Sequence, residues 1–524
     1  MRVRVLQVNK LALMVAPHNI SRLYVGALFA WLIGYLLSLA IQYTDSDLWY
    51  HLAGGRHLLE TGTLYNPLLK SFLSESRDFI NYFWGFQATV YLTWLVAEET
   101  GLIILKTSFF FICAFFTLKI ILDGKRTRDA EFLQLFIFAI VVAILCERGL
   151  SLRPHLASYA MIPTFIYILA YKEKFYCLLP LLTVIWVNFH GIEYVVSALI
   201  CGSYFLSSVF NFRGDTKPLI WIALCLPATL VNPSGPELWL APFILDPDLN
   251  RIVAEMGYPQ FEIRLGSHEG INIQMLALIF LSFVLFSALH AIRNFRTNLA
   301  PILIAAGGLF LLLKAGRFIW EWTLLSLPLV AVGLQYFRGQ TYKFSNVSAL
   351  GGTFALIIMT CWPNLKNGMQ KYPLDIDSLP YGTTAFIQTQ GLKGSYAIAP
   401  SFAGYIEFML EDIKIHQDMQ FPPFTPMDFQ ELFVASISPS GLETYIKKYS
   451  PEMLGVDKRN KKFPAKAAYE LGYVPVFFDA KIVLFINKEK LKKIATRFEL
   501  KVINPFNETK VLTSKVDEAI RELE

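Results

Sequence analysis

Charge is scarce in this chain of 524 residues. Asp, Glu, Lys and Arg make up 17%, against about 25% in soluble domains. Cysteine is scarce too: Cys113, Cys146, Cys177, Cys201, Cys225 and Cys361 all fall inside apolar runs. With none in a polar loop, neither a disulfide framework nor a cysteine metal site is expected. Neither a P-loop nor a dinucleotide fingerprint occurs, so no nucleotide site is indicated. The N-terminus carries basic residues without a small-residue cleavage site, so the first apolar run should be retained. The formal charge of +6 is too small to call for a nucleic-acid partner.

What fills the chain is apolar. Hydrophobic residues make up 54% and aromatic residues 15%, with a mean hydropathy of +0.44. The fold class expected is a polytopic α-helical membrane protein of about eleven spans with a small C-terminal α/β domain. The runs are 23–42, 104–122, 130–147, 156–171, 175–189, 192–212, 218–231, 271–292, 299–313, 318–337 and 346–362. The stretch 79–97 is uncharged but rich in Tyr, Trp, Gln, Asn and Thr, which suits a helix lying at the interface. With it on the surface, five short connections share a face and carry Lys125, Arg126, Arg128, Lys172, Lys174, Arg213, Lys217, Arg293, Arg296, Arg338 and Lys343. The opposite connections downstream carry Arg148, Arg153, Arg251, Arg264, Lys314 and Arg317. The positive-inside rule then places the N-terminus in the cytoplasm of a plasma-membrane protein. The first loop (43–103), the loop 232–270 and residues 363–524 fall outside.

On this topology the unusual polar motifs converge on the outer face. "YTDSDLWYH" follows the first span, and Asp47 and His51, at i and i+4, share a helix face. Asp45 lies nearest the membrane exit. A carboxylate at a dry boundary suits a general base, and two Asp with a His also suit a divalent cation. An aromatic belt around Trp49 with solvated acids is the plain alternative. "LRPH" sets Arg153 beside His155 at a helix start, for gripping a phosphate or for snorkelling to the headgroups. "WVNFHGIEY" sets Asn188, His190 and Glu193 at a helical reversal, where a lone His is more often structural. "VNPSG" reads as a turn. Glu255 lies in a charged loop that is either a lid or solvated, and Arg317 with Glu321 forms either an ion pair or a phosphate clamp.

Residues 363–524 turn polar. "TTAFIQTQGLKGSYAIAPSFAGYIEFML" reads helix, Gly break, strand, helix; "GLETYIKKYSPEMLGVDKRN" reads helix then strand; "KIVLFINKEK" reads strand. No nucleophile elbow or ligand cluster appears, so this part reads as a binding or structural appendage.

Taken together, these motifs resemble the GT-C glycosyltransferase superfamily, and more narrowly a bacterial group of it. The resemblance rests on Asp45, Asp47, Trp49, His51, Gly55 and Arg56 in Asp-x-Asp-x-Trp-x-His…Gly-Arg, and on Arg153-Pro154 before a span. Trp186, Asn188, His190 and Gly191 match Trp-x-Asn-x-His-Gly, and Asn232, Pro233 and Gly235 match Asn-Pro-x-Gly. The chain departs from the group's pattern at Lys70 and Phe83, where acids are usual, and at "HQDMQ", where Asp418 lacks a partner arginine. The resemblance implies sugar transfer from a polyprenyl-phosphate donor to a glycan, lipid or protein acceptor. Asp45 or Asp47 would be the general base, and Arg153, Arg317, Arg56 and His155 would hold the donor phosphate. His51, Trp49, Asn188, His190 and Glu255 would line the substrate site. A divalent cation is a possible cofactor, not a required one. A flippase or transporter, or a scaffold acting through the C-terminal domain, is the competing class.

Overall fold

The computed structural model describes residues 17–41, 46–73, 77–123, 131–149, 151–211, 217–244, 273–335, 351–354, 369, 371–420, 423–501 and 504–507. Helices α1 (Pro17–Leu37), α2 (Ser46–Thr61), α3 (Trp84–Asp123), α4 (Glu131–Arg148) and α5 (Pro154–Tyr171) come first. Then follow α6 (Leu179–Phe189), α7 (Tyr194–Phe210), α8 (Lys217–Ala228) and a single turn, α9 (Ala241–Ile244). Helices α10 (Ile273–Arg293), α11 (Leu299–Lys314), α12 (Ile319–Leu325) and α13 (Leu327–Leu334) complete the bundle. Among the described residues, Trp84–Leu122, Gly191–Phe210 and Gln274–Arg293 are long and apolar enough to cross a membrane. The pair Gly316–Leu325 and Leu327–Leu334, bent by 45°, makes a fourth if counted as one span. The run 318–337 is thus not one unbroken helix. Proline opens α5 and α6, and Pro163 and Pro227 lie inside α5 and α8, each removing a backbone donor. Most of the run 346–362 lies outside the described residues.

The stretch 79–97 is helical only from Trp84. That helix continues into the next span, interrupted at Ala97 and Glu98, where Glu98 has φ +45°. Its first half packs on α2. Gly54 and Gly55 make that contact possible: a Cβ on Gly55 would run into the Gln87 carbonyl oxygen and the Tyr91 side chain.

Residues 371–501 form an α/β unit. Five strands, β1 (Gly394–Ile398), β2 (Ile413–Ile415), β3 (Met453–Asp457), β4 (Tyr473–Phe478) and β5 (Ile482–Asn487), run in the order β2-β1-β3-β5-β4. β1 is parallel to β2 and β3, while β5 is antiparallel to β3 and β4. The helices are α14 (Tyr381–Thr389), α15 (Pro400–Met409), α16 (Pro426–Ile437), α17 (Pro439–Tyr449), α18 (Ala465–Glu470) and α19 (Lys492–Phe498). Alternation along the strands makes two cores. Tyr396, Ile398 and Met453 pack with α15 and the bundle, whereas Ala397, Leu454 and Val456 pack with α16 and α17.

This unit is no appendage, contrary to the reading from sequence. Phe72 N donates to the Ile415 carbonyl (2.9 Å) and Ser71 Oγ to that of His416 (2.6 Å), extending β2 with the first loop. Arg77 grips Asp428 at 2.5 Å, and Ile41 N donates to the Pro373 carbonyl at 2.9 Å. Helix α15 meets α2 so closely that Gly404 lies against the Tyr50 backbone. Its sequence contains no hydrophobic excess that announces a partner, which is why the docking was missed.

Candidate active site

The ends of antiparallel helices come together at one end of the bundle: the C-terminus of α4, the start of α5, the end of α6, the start of α7 and the segment before α12. The start of α2 joins them. Asp47 Oδ2 pairs with Arg153 Nη1 at 2.9 Å, both side chains 20% exposed, and Ser46 Oγ donates to Asp47 Oδ1 at 3.1 Å. Pro154 fixes φ at the first turn of α5 and leaves Arg153 extended as its cap residue, pointing the guanidinium back at α2. Tyr50 lies within the fields of Asp47, Arg153 and Asp418, and burial first, then Asp47, pushes its hydroxyl pKa well above the ordinary value. His51 is buried between Phe83 and Phe86, with ring centroids at 5.0 and 5.1 Å, and neither ring nitrogen has a hydrogen bond. Burial, then the positive field of Arg153, holds it well below the usual histidine range, so it is neutral.

Behind this pair lies a second set, of two buried acids and two partly buried arginines. Arg148 and Arg317 act electrostatically on Glu193 and Glu321, which are 5% and 3% exposed. The Arg148 guanidinium also lies 5.0 Å from the Trp320 ring centre. Ser158 Oγ lies 2.8 Å from His190 Nδ1 and accepts from Trp186 Nε1 at 2.8 Å. His155 Nε2 lies 3.3 Å from the Arg148 carbonyl. The arrangement brings three arginines, the imidazoles of His51, His155 and His190, and the carboxyl groups of Asp47, Glu193 and Glu321 to one end of the bundle, and such an arginine cluster can hold an anion.

The α/β unit contributes a third set that the sequence reading left outside the site. Asp418 and Glu407 are fully buried side by side; Tyr65 Oη donates to Glu407 Oε1 at 2.9 Å, and Gln420 donates twice to Asp418, at 2.8 and 2.6 Å. Burial pushes Asp418 up to about 6, against the two Gln420 bonds, and burial with the Asp418 charge pushes Glu407 well above the carboxylate range. Unfolded carboxyls ionise near 4, so the folded chain binds more protons from about pH 4 upward through 6. The pair's contribution to stability is therefore present below pH 4 and lost as pH rises through 6. The melting temperature of the full-length protein is expected to fall between about pH 4 and pH 7, and Asp418→Asn is expected to flatten that profile.

Other expected site residues are placed differently. Arg56 lies about 13 Å along α2 from Asp47. Instead it donates to the Glu407 carbonyl (3.2 Å), faces Glu411 at 3.7 Å and covers the Phe408 ring, acting as a strut to α15. Trp49 is 2% exposed among Trp94, Tyr405 and Phe408, inside the packing between α2 and α15. Asn188 accepts from Trp84 Nε1 at 2.7 Å and donates to the carbonyls of Val184 and Val231, bracing the end of α6. Asp45 and Glu255 lie outside the described residues. The sequence reading missed Arg148, Glu407 and Tyr50 as site residues. Only the first carried a signal, a charge at a helix end.

Among the described residues no three His, Cys, Asp or Glu side chains converge, and Asp47 is engaged by Arg153.

No family model and no curated protein matches the sequence. Solved structures do. The oligosaccharyltransferase of Archaeoglobus fulgidus in the apo form matches with a TM-score of 0.55 at 11% identity, covering 88% of this chain and 74% of that one. ArnT from Cupriavidus metallidurans matches in the apo state with a TM-score of 0.52 at 11% identity, covering 90% and 98%. ArnT bound to undecaprenyl phosphate matches at 0.50 and 12% identity, with the same coverage. At this identity the likeness shows the fold alone: the chain shares the architecture of the oligosaccharyltransferase and of ArnT.

Proposed function

We propose that this chain is an integral membrane glycosyltransferase that moves a sugar from a polyprenyl-phosphate donor to an acceptor hydroxyl on the outer face of the membrane. The carrying observation is the Asp47–Arg153 pair at one end of the bundle, beside Arg148 and Arg317 and neutral His51. The shared fold with an oligosaccharyltransferase, and with a protein solved with undecaprenyl phosphate, supports the same reading.

In this reading the ligand-free site neutralises itself, Asp47 holding Arg153. A donor phosphate takes over Arg153, with Arg317 as second cation, and releases the carboxylate. The acceptor hydroxyl then attacks the anomeric carbon. The new carbon–oxygen bond forms as the bond to the phosphate oxygen breaks, the electron pair leaves on the phosphate, and the proton passes to Asp47 or Asp45. Fixed guanidiniums facing the leaving group need no reorganisation when charge develops there. The N-terminus is assigned to the cytoplasm and residues 363–524, as a separate domain on 1–362, to the outside, where Glu407 and Asp418 close the site from above.

The test compares surface glycans and lipid-linked intermediates by mass spectrometry in a deletion strain and in strains complemented with wild type or with Asp45→Asn plus Asp47→Asn. A sugar lost on deletion and still absent in the double variant supports the proposal, and its mass names the sugar. Full restoration by the double variant overturns it. The bend at Ser326 is the one observation favouring transport, since broken spans are common in transporters. Transport predicts that the lipid-linked species accumulates intact on one leaflet, with its sugar still attached.

A further inference from the structure

The sheet of the α/β unit has a feature that sugar transfer does not use. From β1 the chain runs through α15 to β2, then through α16 and α17 to β3 on the other side of β1. Right-handed crossovers put these connections on opposite faces, and the two cores agree. Strand order therefore reverses between β1 and β3, and a crevice opens at the carboxyl ends of both strands, where ligands of open α/β sheets bind.

A cavity of about 480 Å³ lies at this place. It is bounded by Ile398–Pro400 after β1, by Leu454–Asp457 of β3, and by Leu432, Phe433 and Phe463. The volume suits a small ligand. It lies on the face of the sheet away from α15, so it is separate from the Asp47 site.

Its chemistry is two-sided. The walls are aliphatic and aromatic, and the one charged side chain among them, Asp457, is matched by Arg459 at 2.8 Å. The loop that carries Asp457, Asn460 and Phe463 into the wall also carries Lys458, Arg459, Lys461 and Lys462; Lys458 lies over the Phe478 ring, Lys461 Nζ donates to the Phe506 carbonyl at 2.8 Å, and Lys461 and Lys462 are exposed. The start of α15, at Ala399 and Pro400, turns its positive end to the same edge. An apolar interior bounded by a loop of net positive charge complements a chain with an anionic head.

We propose that this cavity binds the alkyl chain of a single-chain anionic amphiphile, with its carboxylate or phosphate head on the loop 457–462. The proposal does not depend on the transferase reading.

The test uses the full-length protein in phosphatidylcholine nanodiscs with photoreactive diazirine forms of dodecanoic acid, dodecyl phosphate and dodecanol, and maps labelled peptides by mass spectrometry. The anionic probes are expected to label the segments around Leu432 and Phe463 saturably, and the stronger of the two identifies the head. Ala435→Trp, which fills the cavity, is expected to cut that labelling about tenfold. Lys461→Glu with Lys462→Glu, a surface change that gives up one hydrogen bond to the Phe506 carbonyl, is expected to cut labelling by the anions about tenfold and spare dodecanol. Labelling confined to the bundle, labelling unchanged by both variants, or equal labelling by dodecanol and the anions would each overturn the proposal.

Discussion

Asp47→Asn is expected to lower sugar transfer by about 10²–10⁴-fold while leaving the chain folded, because proton acceptance by a placed carboxylate is worth that much. The pair with Arg153 is one-fifth exposed on both sides, so its loss costs only about 1 kcal/mol of stability. Arg153→Gln is expected to lose transfer comparably by a different route, as a weaker hold on the donor phosphate. Activity and stability should therefore part company in each single variant. The decisive comparison is the exchanged pair, Asp47→Arg with Arg153→Asp. It keeps the ion pair and is expected to recover the melting temperature but no transfer, measured as the lipid-linked donor consumed in membranes. Recovery of transfer by the exchanged pair would show that the two residues serve only the packing of α2 on α5.

The second large effect belongs to the internal set. Arg317→Met removes one of the two cations facing Glu193 and Glu321, both nearly inaccessible. Breaking a buried ionic group from one side leaves charge without compensation and costs about 3–5 kcal/mol. The single variant is expected to melt far lower or to fail to accumulate in membranes. Adding Glu321→Gln removes the matching carboxylate and is expected to return most of that loss. Transfer then separates the two roles the sequence left open for Arg317. If it is only half of an ion pair, the repaired double variant regains activity; if it clamps the donor phosphate, stability returns without activity. The readouts are thermal unfolding in detergent and the same donor-consumption measurement. An Arg317→Met protein as stable as wild type would show that the four charges do not act as one network.

Several features of this protein were fixed by local chemistry and so were legible in the chain. Low charge and long apolar runs dictate a helical membrane body, since only hydrocarbon-compatible segments persist without soluble-domain charge. The strands at β1, β3 and β5 and helices α14, α15 and α17 follow from residue periodicity and from the Gly and Pro that punctuate them. Asp47, Arg153, His190 and Arg317 stood out in the sequence because each lies beside an apolar run at a helix end, where a polar group has few ordinary explanations, and His51 because it shares a helix face with Asp47.

Pairing was another matter, because it depends on which helix ends meet. Nothing near Asp47 in sequence says that Arg153 neutralises it, or that Arg56, five residues past the same motif's histidine, turns away to α15. Asn188 read as a ligand because it is a polar group in an apolar run; folded, its amide is taken by Trp84, Val184 and Val231. Glu407 and Asp418 read as ordinary residues of a soluble unit, and became buried acids only when β2 was extended by the first loop. The sequence alone determined what kind of solvent each segment can tolerate, because that is a property of composition and period. Only the tertiary structure decided which charges compensate one another, because burial and separation set the strength of an electrostatic contact, and both arise between segments far apart in the chain.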